Sequence, residues 1–385
     1  MIPLPVRTLF HLLSPSPSLP HLSDTEWREL LAFADRTQLT LHLGGKAGLP
    51  PWLDVEIEAR RVRNMERRRR LRETFAEIEH AFNAAAVEFV VLKGFTHESG
   101  FGIDPTARVQ YDLDLLCAPG ELSRARNTLR NLGYLPHGGR SLSDEHSRPL
   151  VRPFTWAWRG DYFDPEMPIA VELHDSIWNA THDRFHIDTA AFWNRRSGNS
   201  LARTDVAGFA ALHVLRHALR QDARPAHAYE LARLLQTRDA LFWRDWIEHR
   251  DPRLRGLESA GFRFASEWFS CPLPEAVDRE WLRQPGPVKD WFREFAWSPI
   301  ANILGRNKDS IWLHLALLER GSDRMRVFCH RMTPLRLPHH ANVWERGRYH
   351  AGAFALAFFN GLRWWWRRRV ASTASHISNW NRGSV

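Results

Sequence analysis

The chain has 385 residues, 44% hydrophobic and 25% charged, which excludes a wholly disordered chain and leaves room for two or three packed domains. A formal charge of +9 favours anionic partners such as nucleotide, nucleic acid or an anionic membrane, but says nothing of fold. Its three cysteines, Cys117, Cys271 and Cys329, are too scattered for a disulfide framework or a zinc knuckle.

The first residues carry Pro3, Pro5, Pro15, Pro17 and Pro20 among a few leucines, without the basic start and unbroken apolar run of a signal peptide, so a cytoplasmic location is expected. From about residue 22 the pattern is helical: Ser23-Asp24-Thr25-Glu26 has the form of a capping box, and Trp27, Leu30, Leu31 and Ala34 follow at helical spacing. Pro50-Pro51 suits the first turn of a second, long helix, in which Leu71, Phe75, Ile78 and Phe82 form one apolar face. This helix also carries Arg60, Arg61, Arg63, Arg67, Arg68, Arg69, Arg70 and Arg72, read either as a solvated basic face or as a surface for RNA or another polyanion.

A β-rich run, Phe89-Val90-Val91-Leu92-Lys93-Gly94, then ends in a turn. The segment Tyr111-Asp112-Leu113-Asp114-Leu115-Leu116 is the most informative in the chain. Side chains alternate across a strand, so Asp112 and Asp114 share one face and Leu113 and Leu115 the other. Two like charges so placed either border solvent on an edge strand or hold a cation between them, and hard oxygen ligands favour Mg²⁺ or Mn²⁺. Glu121 to Leu132 reads as a helix ended by Gly133, and Phe154 to Arg159 alternates as a strand does. Ile169-Ala170-Val171-Glu172-Leu173-His174 is a further strand, whose Glu172 completes a carboxylate triad.

From about residue 187 the pattern is helical again. His213 and His217 stand four residues apart, but Val214 occupies the place where a zinc-hydrolase motif needs Glu. Near the C-terminus, Trp364-Trp365-Trp366-Arg367-Arg368-Arg369 follows an apolar run from Ala351 to Phe359 that is too short to span a bilayer. The expectation is a packed terminal helix with a basic tail, or peripheral contact with a membrane surface.

Five elements occur in one order: Leu92-Lys93-Gly94, then Arg108, then Asp112 to Cys117, then Leu132-Gly133-Tyr134, then Leu173-His174. In this the chain resembles the bacterial uncharacterised nucleotidyltransferases, relatives of DNA polymerase β, over roughly residues 60 to 235. Helices with histidines and an Asp-Leu-Ala-like element also belong to that family, and Tyr229-Glu230-Leu231-Ala232-Arg233 fills the latter position here. Phe95 and Tyr111 stand where the superfamily and close relatives usually have small residues.

The resemblance implies an α+β fold, with a small mixed β-sheet nucleotidyltransferase core over residues 87–180 between helical regions at 1–86 and 181–385. It also implies transfer of a nucleoside monophosphate from a nucleoside triphosphate to an acceptor hydroxyl, with release of pyrophosphate and two Mg²⁺ or Mn²⁺ ions. Asp112 and Asp114 would bridge the ions and Glu172 would bind the ion nearer the acceptor. Lys93 and the backbone of Gly94 would lie near the triphosphate and Arg108 would reach a phosphate oxygen; equally, Lys93 would pair with the acids and Arg108 brace the strand. The acceptor is a small molecule, a peptide or protein, or RNA. The alternatives are a catalytically inactive relative that binds nucleotide, and an RNA-binding module built on the arginine-rich helix.

Overall fold

The computed structural model describes residues 2–18, 21–98, 101–137, 148–178, 180–305 and 307–332, and further along only residues 351, 352, 355, 358, 359, 361 and 362. The Trp364 to Arg369 segment and the tail beyond it lie outside the described residues. The chain forms two units, the larger of residues 1–181, 185–215 and 224–283, the smaller of residues 182–184, 216–223 and 284–385.

In the larger unit a helix begins earlier than the proline-rich start suggests. Helix α1 (Leu4–Leu12) places Pro5 in its first turn, where a missing N–H costs nothing, and buries Val6, Leu9, Phe10 and Leu12. Helix α2 (Asp24–Arg36) starts from the expected capping box: Ser23 caps Glu26, whose carboxylate accepts from the Ser23 N–H at 2.8 Å. Helix α3 (Pro51–Ala84) is the long arginine-bearing helix. Its buried stripe runs Leu53, Ile57, Asn64, Arg67, Leu71, Ile78 and Phe82, so two polar residues occupy positions that the spacing reserves for the core.

The sheet follows as β1 (Phe89–Val91), β2 (Asp112–Cys117), β3 (Leu135–Pro136), β4 (Leu150–Val151) and β5 (Ala170–His174), in spatial order β1-β2-β5-β4-β3. Strand β2 is antiparallel to β1 and parallel to β5, with Asp114 opposite Glu172 and Leu115 opposite Val91. The fold is α+β, as expected. Between the strands lie α4 (Phe95–Glu98) and α5 (Leu122–Asn131). Leu113, Leu115, Val91, Val171 and Leu173 meet Leu71, Ile78 and Phe82 of α3 and Ala125 and Leu129 of α5, and this layer is the core of the sheet. The predicted strand at Phe154 to Arg159 does not form. Pro153 lacks an N–H for a ladder, and the aromatic side chains engage each other and Asp164, to which Trp156 Nε1 donates at 2.7 Å.

Helices α6 (Ala180–Asp183), α7 (Thr189–Trp193), α8 (Arg203–Leu219), α9 (Pro225–Thr237), α10 (Ala240–Glu248), α11 (Pro252–Phe269) and α12 (Glu275–Leu282) follow, and their residues up to 181, from 185 to 215 and from 224 complete the larger unit. Its α-helical layer is knit by a buried charge network: Arg250 reaches Asp205 at 2.6 Å and Glu258 at 3.1 Å, and Trp246 Nε1 donates to Glu258 at 2.5 Å. In the smaller unit, α13 (Gly286–Phe295), α14 (Ser298–Leu304), α15 (Ser310–Leu317) and α16 (Gly321–Met332) bury Val288, Trp291, Ile300, Ile311 and Leu313. Cys117 and Cys271 are buried and Cys329 is exposed, and no disulfide joins them.

Candidate active site

Because residues opposite one another in a ladder share a face, the register of β2 on β5 brings Asp112, Asp114, Glu172 and His174 to the side of the sheet away from α3 and α5. The four are not equally buried. The Asp114 side chain is 4% exposed and that of His174 3%, whereas Asp112 and Glu172 are 27% and 22% exposed and form the open rim. Lys93, just past the end of β1, brings its ammonium to 3.3 Å from Asp112 and 3.1 Å from Asp114. His174 Nε2 lies 3.1 Å from Asp114 Oδ1 and 4.0 Å from Glu172 Oε2.

Electrostatics fixes the charge states. Burial disfavours the Asp114 carboxylate, but Lys93 and His174 outweigh it and hold the carboxyl well below the usual range. Burial likewise disfavours the Lys93 ammonium, and Asp112, Asp114 and Glu172 outweigh it and hold the amine above its ordinary value. The cluster therefore sets the Asp114 carboxylate against the Lys93 ammonium, with Asp112 and Glu172 at its rim. Asp114 Oδ2 accepts no aligned hydrogen bond although it is fully buried, so its contact with Lys93 is ionic. Ligand atoms of Asp114, Glu172 and His174 all lie within 4.8 Å of one another, a donor set that fits a divalent cation.

The loop that leads into β2 is held from behind by α3. Arg67, fully buried, donates to the carbonyls of Gln110 (2.8 Å), Tyr111 (3.1 Å) and Met167 (2.8 Å), and Asn64 donates to those of Thr106 (2.8 Å) and Arg108 (3.0 Å). These contacts explain the polar interruption of the apolar stripe. They were legible in principle, since Asn64 and Arg67 fall seven and four residues before Leu71 on the buried face, but composition alone grouped Arg67 with its solvated neighbours. Most of the other arginines are engaged within the chain as well: Arg60 with Asp35 and Glu56, Arg61 with Asp104, Arg63 with Asp161, Arg69 with Glu66 and Glu73, Arg70 with Glu166.

Gly94 turns the chain between Lys93 and α4 at φ +83°, and a Cβ there would collide with the Gln110 side chain. Gln110 in turn donates to the Asp112 carbonyl at 2.7 Å and accepts from Arg108 Nη1 at 3.2 Å. Arg108 is buried, and its Nε lies 2.8 Å from Glu230 of α9, which also meets His97 Nδ1 at 2.5 Å. Burial disfavours the Glu230 carboxylate, and Arg108 and His97 outweigh it and hold the carboxyl well below its usual range. Burial keeps His97 below its ordinary value despite Glu230, so the imidazole serves as a neutral donor and Arg108 carries the balancing charge. The Tyr229-Glu230 element thus belongs to a helix-to-core polar network. Tyr111 directs its hydroxyl to the Tyr162 carbonyl at 2.9 Å and its ring under Arg67, 5.4 Å from the guanidinium.

His213 is buried with its ring 4.7 Å from that of His227. A separate cavity of about 330 Å³ is lined by Phe75, Val91, Phe95, Phe101, Arg203 and Arg238 among others. Val91 faces the α3 side of the sheet, so this cavity does not open on the carboxylates.

Among the described residues no helix is long and apolar enough to cross a membrane. No curated protein and no solved structure matches the chain. Residues 23–270, well over half of the sequence and all of the carboxylate cluster, match the family described as uncharacterised nucleotidyltransferase, and the chain belongs to that family.

Proposed function

We propose that this protein transfers a nucleoside monophosphate from a nucleoside triphosphate to an acceptor hydroxyl, in the cytoplasm, with release of pyrophosphate. The observation that carries the reading is the convergence of Asp112, Asp114 and Glu172 on one sheet face in a chain of this family. Divalent metal, Mg²⁺ or Mn²⁺, would neutralise charge on the attacking and leaving oxygens. Asp112 and Asp114 would hold metal beside the α-phosphate end of the nucleotide, and Glu172, on the neighbouring strand, would hold metal on the acceptor side, where the cation would lower the pKa of the acceptor hydroxyl. Lys93 contributes a fixed positive charge beside the triphosphate, and the positive φ of Gly94 turns the chain there without a side chain in the way. Arg108 acts as a brace, tied to Glu230 and Gln110, and leaves phosphate binding to Lys93.

The reading is tested by thermal stability of the full chain with each nucleoside triphosphate, with and without divalent metal, for the native sequence and for Asp112→Asn/Asp114→Asn. A nucleotide at one hundred times its dissociation constant stabilises the folded state by about 2.7 kcal/mol. A metal-dependent rise in the native chain, lost in the double variant, is expected and names the base for acceptor screens. No rise with any nucleotide would overturn the reading. The polyanion-binding alternative has less behind it, because most arginines of α3 already engage carboxylates or carbonyls of the chain itself.

A further inference from the structure

We infer that the site holds one resident divalent ion, on Asp114, Glu172 and His174, while the Lys93 ammonium takes the second cation position between Asp112 and Asp114, and that the resident ion is Mn²⁺ in preference to Mg²⁺. This rests on the nucleotidyl-transfer reading and narrows it from two ions to one.

The first observation is the place of Lys93. A bridging ion in a strand with two same-face acids belongs between them, and Lys93 Nζ stands there, 3.3 Å from Asp112 Oδ2 and 3.1 Å from Asp114 Oδ2. The side chain is not a free arm. It is 13% exposed, and the preceding Leu92 N–H is bonded to the Asp114 carbonyl at 3.0 Å, which ties its backbone to β2.

The second observation is the geometry of what remains. Asp114 turns its other oxygen, Oδ1, toward His174 Nε2 at 3.1 Å, and Nε2 is 4.0 Å from Glu172 Oε2. Ligands about 2.1 Å from one ion and at right angles stand about 3 Å apart, so these atoms are spaced as ligands of a single ion.

The third is ligand chemistry. Mg²⁺ favours oxygen ligands and keeps its waters, whereas an imidazole nitrogen suits first-row transition ions, of which Mn²⁺ also accepts carboxylates readily. His174 is buried with Nε2 turned toward both acids and hydrogen-bonded to Asp114, so an ion entering here would exchange that hydrogen bond for a bond to nitrogen.

The test uses the full chain without nucleotide, with Mn²⁺ counted by electron paramagnetic resonance and Mg²⁺ as competitor. One Mn²⁺ per chain is expected, displaced only by Mg²⁺ in excess of about tenfold or more. Lys93→Met should raise the count to two. His174→Gln, which keeps a side-chain donor near Asp114 but removes the imidazole, should weaken Mn²⁺ binding at least about tenfold and abolish the preference over Mg²⁺. Its metal-free melting temperature reports whether it folds; if it does not, the Lys93→Met count and the wild-type competition decide alone. Two ions per native chain, or a folded His174→Gln chain with unchanged preference, would overturn this inference and leave nucleotidyl transfer standing. Binding of no ion by the native chain would also overturn this inference, and the metal-dependent nucleotide shift would then decide nucleotidyl transfer separately.

Discussion

Glu230 gives the sharpest test of how the helical layer supports the candidate site. Its carboxylate is 3% exposed and faces two groups at once, pairing ionically with Arg108 Nε at 2.8 Å and meeting His97 Nδ1 at 2.5 Å. Glu230→Ala strands the Arg108 guanidinium in the interior. Breaking a buried pair by removing one partner costs about 3–5 kcal/mol, and the lost hydrogen bond to His97 adds about 1 kcal/mol. A domain of this size loses roughly 2–4 °C of melting temperature per kcal/mol, so thermal unfolding by circular dichroism should show a fall of roughly 8–24 °C. The double variant with Arg108→Met removes both charges and should be less destabilised than the sum of the singles by about 2 kcal/mol or more. The effect reaches the acids, because Arg108 holds Gln110 and Gln110 holds the Asp112 carbonyl. Nucleotide-induced stabilisation should therefore weaken in the single variant even well below its melting temperature. A Glu230→Ala chain that melts within roughly 2 °C of the native one, or singles that simply add, would refute this account.

Two further outcomes are expected. Gly94→Ala places a Cβ against Gln110 at a left-handed φ, so it should destabilise the larger unit by about 1–3 kcal/mol and abolish metal-dependent nucleotide stabilisation; a thermal shift experiment in which the variant still responds to nucleotide would contradict the tight turn. In the smaller unit, burial pushes His314 down to about 4, and its Nε2 meets the Asp183 carbonyl at 2.8 Å. The unfolded ring takes up its proton near pH 6.5 and the folded ring only near pH 4, so the neutral ring's contribution is complete above about pH 6.5 and lost as pH falls toward 4, about 3 kcal/mol in all. Urea unfolding between pH 7 and 4 should show this loss in the native chain and less of it in His314→Gln; equal acid slopes in both would assign the loss to other groups.

Sequence alone determined what short-range pattern controls. The alternation of Tyr111 to Leu116 requires Asp112 and Asp114 on one face whatever the fold, the capping box of Ser23 and Glu26 starts α2, and the spacing of Leu71, Ile78 and Phe82 sets the buried side of α3. Glu172 was likewise read from a strand with one acid among apolar residues. Tertiary structure decided the contacts whose partners are far apart in the chain. The parallel register of β2 on β5 turned His174 into a neighbour of Asp114, although Leu116 is its ladder partner and sixty residues separate the two acidic and basic groups. The fold also supplies contacts that spacing does not announce, pairing Lys93 with both aspartates and Arg108 with Glu230. Arg67 shows why: in sequence it is one arginine of eight, and only the carbonyls of Gln110, Tyr111 and Met167, brought against α3, supply the hydrogen bonds that make burying its charge possible. Local periodicity says which face a residue occupies, whereas the partner that lets a charge be buried is set by the approach of distant backbone.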